Sequence, residues 1–79
     1  MEKQEILTRV KEVVSNVLQA DSSEITDDAN FVFDLGADSL QSVELVAGFE
    51  EEFNIEMDQD KALDVQSIDD AVNFIAEYI

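Results

Sequence analysis

Histidine, cysteine, proline and tryptophan are absent from this 79-residue chain, and glycine occurs only twice. Without His or Cys there can be no Ser-His-Asp triad, thiol nucleophile, zinc finger or disulfide framework. Cationic residues are scarce too: four Lys and Arg stand against 20 Asp and Glu, a formal charge of −16. Such a charge repels nucleic acid and anionic lipid and points to cationic partners. Its self-repulsion is expected to weaken the fold at low salt. No apolar run approaches the roughly 20 residues of a membrane span. The residues from Met1 to Glu12 mix charged and apolar side chains and contain no apolar h-region. Neither membrane insertion nor a signal peptide is expected, and the expected compartment is the cytoplasm or an equivalent organelle compartment.

Apolar residues make up 46% of the chain. That suffices for a folded unit and is too high for a disordered acidic tail. Residues 1–79 therefore read as a single small domain. A pocket of roughly 300 Å³ or more, as enzymes use, is hard to build in so few residues. A non-catalytic binding or carrier module is favoured, and a monomer is the expected state.

Three stretches carry apolar residues at helical spacing. In residues 4–18, Ile6, Leu7, Val10, Val13, Val14, Val17 and Leu18 share one arc. In residues 39–53 the arc is wide: Leu40, Val43, Leu45, Val46, Ala47, Phe49 and Phe53, with Gly48 on the polar side. That width predicts contact with more than one neighbour and makes this the central helix. Asp38 is placed to cap it, with Gln41 completing a capping box. A third helix is predicted over residues 68–78, capped by Ser67 with Asp70 three residues on. A short helical piece is predicted over Gln59 to Asp64, with Ala62, Leu63 and Val65 as its apolar contacts. The long connection from Gln19 to Ala37 is anchored by Ile25, Phe31 and Leu35 and ends at Gly36, which can adopt positive φ. The fold class is all-α: a small four-helix bundle of three main helices, one short helix and a long first loop.

The segment Leu35-Gly36-Ala37-Asp38-Ser39-Leu40 puts one hydroxyl, that of Ser39, at the first turn of the second helix. Free N–H groups and the positive end of the dipole converge there and favour an anion such as a phosphate ester. Asp38 is placed either to cap the helix or to help hold a metal-bound phosphate donor. Taken alone, a serine at this position mostly serves as a cap. Glu44 and Glu51, seven apart, share one helical face, and Asp38, Glu50 and Glu52 extend the acid along its edge.

The block from Phe31 to Leu40, followed by Val43-Glu44-Leu45-Val46 and Glu50-Glu51-Glu52-Phe53, resembles the acyl carrier proteins of type II fatty-acid synthases. The similarity runs from the first helix to the last. It implies that Ser39, with Asp38 and Leu40 beside it, takes 4′-phosphopantetheine from coenzyme A through a phosphopantetheinyl transferase. It also implies that acyl groups ride as thioesters on that arm, sheltered between helices. The chain itself would catalyse nothing and hold no metal. Asp38, Glu44, Glu50 and Glu51 would dock basic patches on fatty-acid synthase enzymes and acyltransferases.

The sequence departs from the family pattern at several points. Gln41 stands where an acid is frequent. Ala47, Gly48 and Phe49 replace what is commonly Met, Ala and Leu. Phe33 replaces a polar residue, and Met57-Asp58 lacks a Pro. These changes are expected to tune acyl-chain or partner preference. The main alternative is a specialised carrier, polyketide, aminoacyl, D-alanyl or lipid-modifying, with the same arm. An acidic adaptor would not need Ser39. A calcium-binding loop starting at Asp58 is excluded, because Leu63 occupies the position that requires Gly.

Overall fold

The computed structural model describes all 79 residues and contains helices α1 (Lys3–Leu18), α2 (Ser39–Phe53), α3 (Gln59–Ala62) and α4 (Ile68–Ala76). There is no strand, only an isolated bridge between Asn30 and Ser67. The expected four-helix architecture is the one observed, and the predicted bounds of α2 hold at both ends.

Each helix begins and ends for local reasons. Asp38 accepts the Gln41 N–H at 2.8 Å while Gln41 Oε1 accepts the Asp38 N–H at 3.1 Å, so the capping box closes. Ser67 caps α4 through the Asp70 N–H, but no bond returns from Asp70, whose side chain is a methylene shorter than Glu. α1 and α2 stop at Gln19 and Asn54, both in the left-handed region at φ 56° and 54°. α4 ends two residues earlier than its apolar pattern predicts. Glu77 and Tyr78 turn back to the carbonyls of Phe74 and Ile75 three residues behind, tightening the last turn.

The core joins Ile6, Val10 and Val14 of α1 to Leu45, Val46 and Phe49 of α2 and to Ile68, Val72 and Ile75 of α4. α1, not α2, is the central helix, since it packs against both of the other long helices. The wide apolar arc of α2 does not mean wide burial. Leu40, Val43 and Ala47 face solvent, while Leu45, Val46, Phe49 and Phe53 are buried. Gly48 is also not on a free polar face. A Cβ there would lie 2.8 Å from Val13 Cγ1, so glycine lets α1 and α2 approach closely. Gly48→Ala should therefore forfeit the roughly 1 kcal/mol that helix propensity offers, because Val13 is β-branched and cannot turn aside cheaply. Thermal unfolding should show an unchanged or lower midpoint; a clear rise would contradict this close approach.

The loop between α1 and α2 is stitched rather than slack. A 3₁₀ turn at Ser22–Glu24 is capped by Asp21, which accepts the Ser23 N–H and hydroxyl. These two bonds, the backbone one foremost, hold the Asp21 carboxyl below the usual carboxylate range. Ile25 and Phe31 are buried and Leu35 half-buried, as expected, and Ala29 and Ala37 join them. Lys11 of α1 pairs with Asp27 of the loop, and Arg9 bridges Glu5 of α1 and Glu52 of α2. Across the loop, Phe31 donates to Gln66 O at 2.9 Å and Ile68 to Ala29 O at 3.0 Å, which ties it to the start of α4. Gly36, at φ 73°, then turns the chain into α2.

Candidate functional site

Ser39 is the first residue of α2 and is exposed, and its hydroxyl has no protein partner. The capping box occupies the N–H groups of Asp38 and Gln41. Those of Ser39 and Leu40 remain unpaired within the chain, since a helix start leaves them no acceptor four residues back. An oxygen nucleophile and two free donors thus stand together at the positive end of the helix dipole. This arrangement fits a phosphodiester on Ser39 Oγ, because the donors can meet the anion without any rearrangement of the cap. Ser42, on the same side of α2 and about 4.5 Å further along its axis, differs from Ser39. Its hydroxyl donates to Asp38 O at 3.0 Å and it is half-buried.

An apolar cavity of about 80 Å³ begins at that next turn. Its wall includes Ser42, Leu45 and Phe49 of α2, Ala62 of α3 and Phe74 of α4, with Val32 and Leu63 at solvent-exposed positions. Phe49 packs at 6.4 Å, centroid to centroid, on Phe31 and narrows the space. Apolar cavities near 150 Å³ admit a benzene ring. One about half that size admits a short aliphatic segment, and a longer one requires the wall to move. Of the four unusual residues in α2, Gln41 closes the cap, Phe49 lines the cavity, Ala47 lies on the exposed face and Gly48 meets α1.

The four acids singled out for docking fall into two kinds. Glu44 and Glu51 are exposed and their carboxylates have no internal partner. Asp38 is committed to the cap, and Glu50 accepts the Met57 N–H at 2.9 Å and a longer bond from Gln59 Nε2 at 3.4 Å. Glu50 thereby holds the start of the α3 segment. The Tyr78 hydroxyl assists by accepting the Asp58 N–H at 3.1 Å. Glu50→Ala should lower stability by about 1–3 kcal/mol, the range for losing a charged hydrogen-bond acceptor. Glu44→Ala and Glu51→Ala should each stay within about 0.5 kcal/mol. Denaturant unfolding of the three variants separates the two groups.

No helix is long and apolar enough to cross a membrane, and no cluster of acidic residues is arranged to hold a metal ion. A family model for the phosphopantetheine attachment site matches residues 8–75. An acyl carrier protein of Caulobacter vibrioides is 52% identical over 73 residues, covering 92% of this chain and 94% of the relative. One of Phenylobacterium zucineum is 51% identical over 73 residues, with 92% of each chain covered. One of Guillardia theta is 47% identical over 79 residues, spanning 100% of this chain and 98% of the relative.

Proposed function

The chain belongs to the acyl carrier protein family, and on that premise we propose that Ser39 is the residue that bears its 4′-phosphopantetheine arm. The protein is a carrier and not an enzyme; when bound, the arm supplies a thiol on which acyl groups travel as thioesters. The observation that carries the assignment is the unpartnered, exposed Ser39 hydroxyl beside two free N–H donors. In attachment, Ser39 Oγ displaces the adenosine bisphosphate part of coenzyme A. An Oγ–P bond forms, a pyrophosphate P–O bond breaks, and the Oγ proton passes to the transferase. The unpaired Ser39 and Leu40 N–H groups would hold the phosphodiester of the arm, and the cavity behind Ser42 would shelter the apolar end of a short cargo.

Phosphopantetheinyl transferase and synthase enzymes are the partners that family membership implies. Our reading places the cargo in fatty-acid synthesis and the protein, as a monomer, in the cytoplasm. Glu44 and Glu51 form the free acidic face for Lys and Arg on these enzymes, and Asp38 and Glu50 shape its two ends. Exposed pairs contribute about 0–1 kcal/mol each. Such contacts speed encounter more than they tighten binding, as suits a shuttle.

The test is to offer the arm-bearing protein a malonyl transferase of type II fatty-acid synthesis. A malonyl thioester, labile to neutral hydroxylamine, is the expected product. Refusal by such enzymes, with ready loading by an aminoacyl-adenylating one, would favour a specialised carrier.

A further inference from the structure

Phe33 is 87% exposed, the most exposed large apolar side chain in the molecule. Its turn is nevertheless rigidly built. Asn30 Oδ1 accepts the N–H groups of both Val32 and Phe33 at 2.9 Å. The Asp34 carboxylate accepts the Asn30 N–H at 2.7 Å, and the Asp34 and Leu35 N–H groups return to Asn30 O. Buried Phe31 roots the turn in the core. The fold thus holds a phenyl ring out in water on a preorganised support, an arrangement that lowers the cost of binding through that ring.

The turn also stands close to Ser39. Gly36 donates to Val32 O at 3.0 Å and Ala37 to Phe31 O at 2.8 Å, so its two limbs run side by side. Gly36 is three residues from Ser39, at most about 11 Å of chain. One partner's share of a standard interface, about 800 Å², corresponds to a disc of roughly 16 Å radius. An enzyme that forms a bond to Ser39 Oγ has to cover Ser39, and a footprint of this size that takes in Ser39 has room to take in the Phe33 turn as well. Enzymes that act at the far end of the arm carry no such constraint. Beyond Ser39, Leu40 and Val43 are 69% and 50% exposed, and Asp34, Asp38 and Glu44 are interspersed with these apolar residues. A second copy of a −16 chain, or an anionic membrane, would be repelled from this face.

We propose that Phe33 is an aromatic anchor for the phosphopantetheinyl transferase, received in an apolar cup that the transferase rings with Lys and Arg. The proposal rests on the assignment of Ser39 as the attachment residue. Its test uses the whole chain without the arm, coenzyme A, and the transferase of the same organism. Loading is followed by intact mass, and binding of carrier to transferase by calorimetry. Phe33→Ala should raise KM and Kd tenfold or more with kcat within twofold, the pattern for lost uniform binding. Phe33→Leu should recover part of this, and Ile79→Ala, at an exposed apolar position three residues beyond the end of α4, should change nothing. All three should melt with the parent. KM and Kd within twofold of the parent for Phe33→Ala, or improved, would overturn the proposal. Phe33-dependent binding without any loading would instead refute Ser39 and leave Phe33 standing.

Discussion

Ser39→Ala should abolish attachment of the arm and leave the fold as stable as before. The two effects separate because the hydroxyl contributes no hydrogen bond within the chain and its side chain is in solvent. The helix start is secured by its neighbours, Asp38 and Gln41, through two reciprocal bonds that the substitution does not touch. A surface change of this kind stays within about 0.5 kcal/mol, or a few degrees of melting temperature in a domain this size. Ser42→Ala is the matched control. It removes a hydroxyl one turn along the same helix, and the variant should load fully. Failure of Ser42→Ala to load, with Ser39→Ala loading normally, would reverse the assignment.

Phe49→Ala should cause the largest loss of stability of any substitution discussed. Phe49 is buried, packs on Phe31 and forms part of the cavity wall. Truncation removes its transfer free energy and adds its volume to a space already partly empty, for a cost of about 3–5 kcal/mol. Small domains sit near the low end of the usual stability range of about 5–15 kcal/mol. Thermal unfolding followed by circular dichroism should show a fall of roughly 12 °C or more, with appreciable unfolding at physiological temperature. A fall of only a few degrees would mean that the ring is not a core element. Phe49→Leu keeps most of the packing and should cost less than about 1.5 kcal/mol. By widening the cavity it should also lengthen the acyl chain that stabilises the protein best. Melting temperatures across a series of acyl lengths read this directly, and identical profiles for parent and variant would remove Phe49 as a length determinant.

Apolar spacing of three and four residues marks the three long helices in the sequence, and Asp38 with Gln41 marks the start of α2 to the residue. Ser39 is legible as a helix-start hydroxyl, and the surrounding Asp-Leu-Gly-Ala-Asp-Ser-Leu block raises it above an ordinary cap. What could not be read is what each helix faces. Leu40, Val43 and Ala47 fit the apolar arc of α2, but no other helix covers that part of it. Gly48 sits among polar residues in the sequence, although its missing side chain is what lets α1 close on α2. Long-range bonds leave no periodic trace either. Glu50 reaches seven residues along the chain to Met57 and Tyr78 reaches back twenty to Asp58. Hence, of the four expected docking acids, Asp38 is engaged in the cap that the sequence marks, whereas the engagement of Glu50 with Met57 leaves no such mark. By residue type alone Glu50 is the same as the free Glu44 and Glu51.

The central claim is that this acidic bundle carries its cargo on an arm at one serine. The direct measurement is the intact mass after incubation with coenzyme A and an active phosphopantetheinyl transferase, followed by peptide mapping of the product. A gain of one 4′-phosphopantetheine, confined to the peptide that contains Ser39 and absent from Ser39→Ala, is the predicted result. No gain while a control carrier is loaded, or a gain mapped to Ser42 or any other residue, would contradict it.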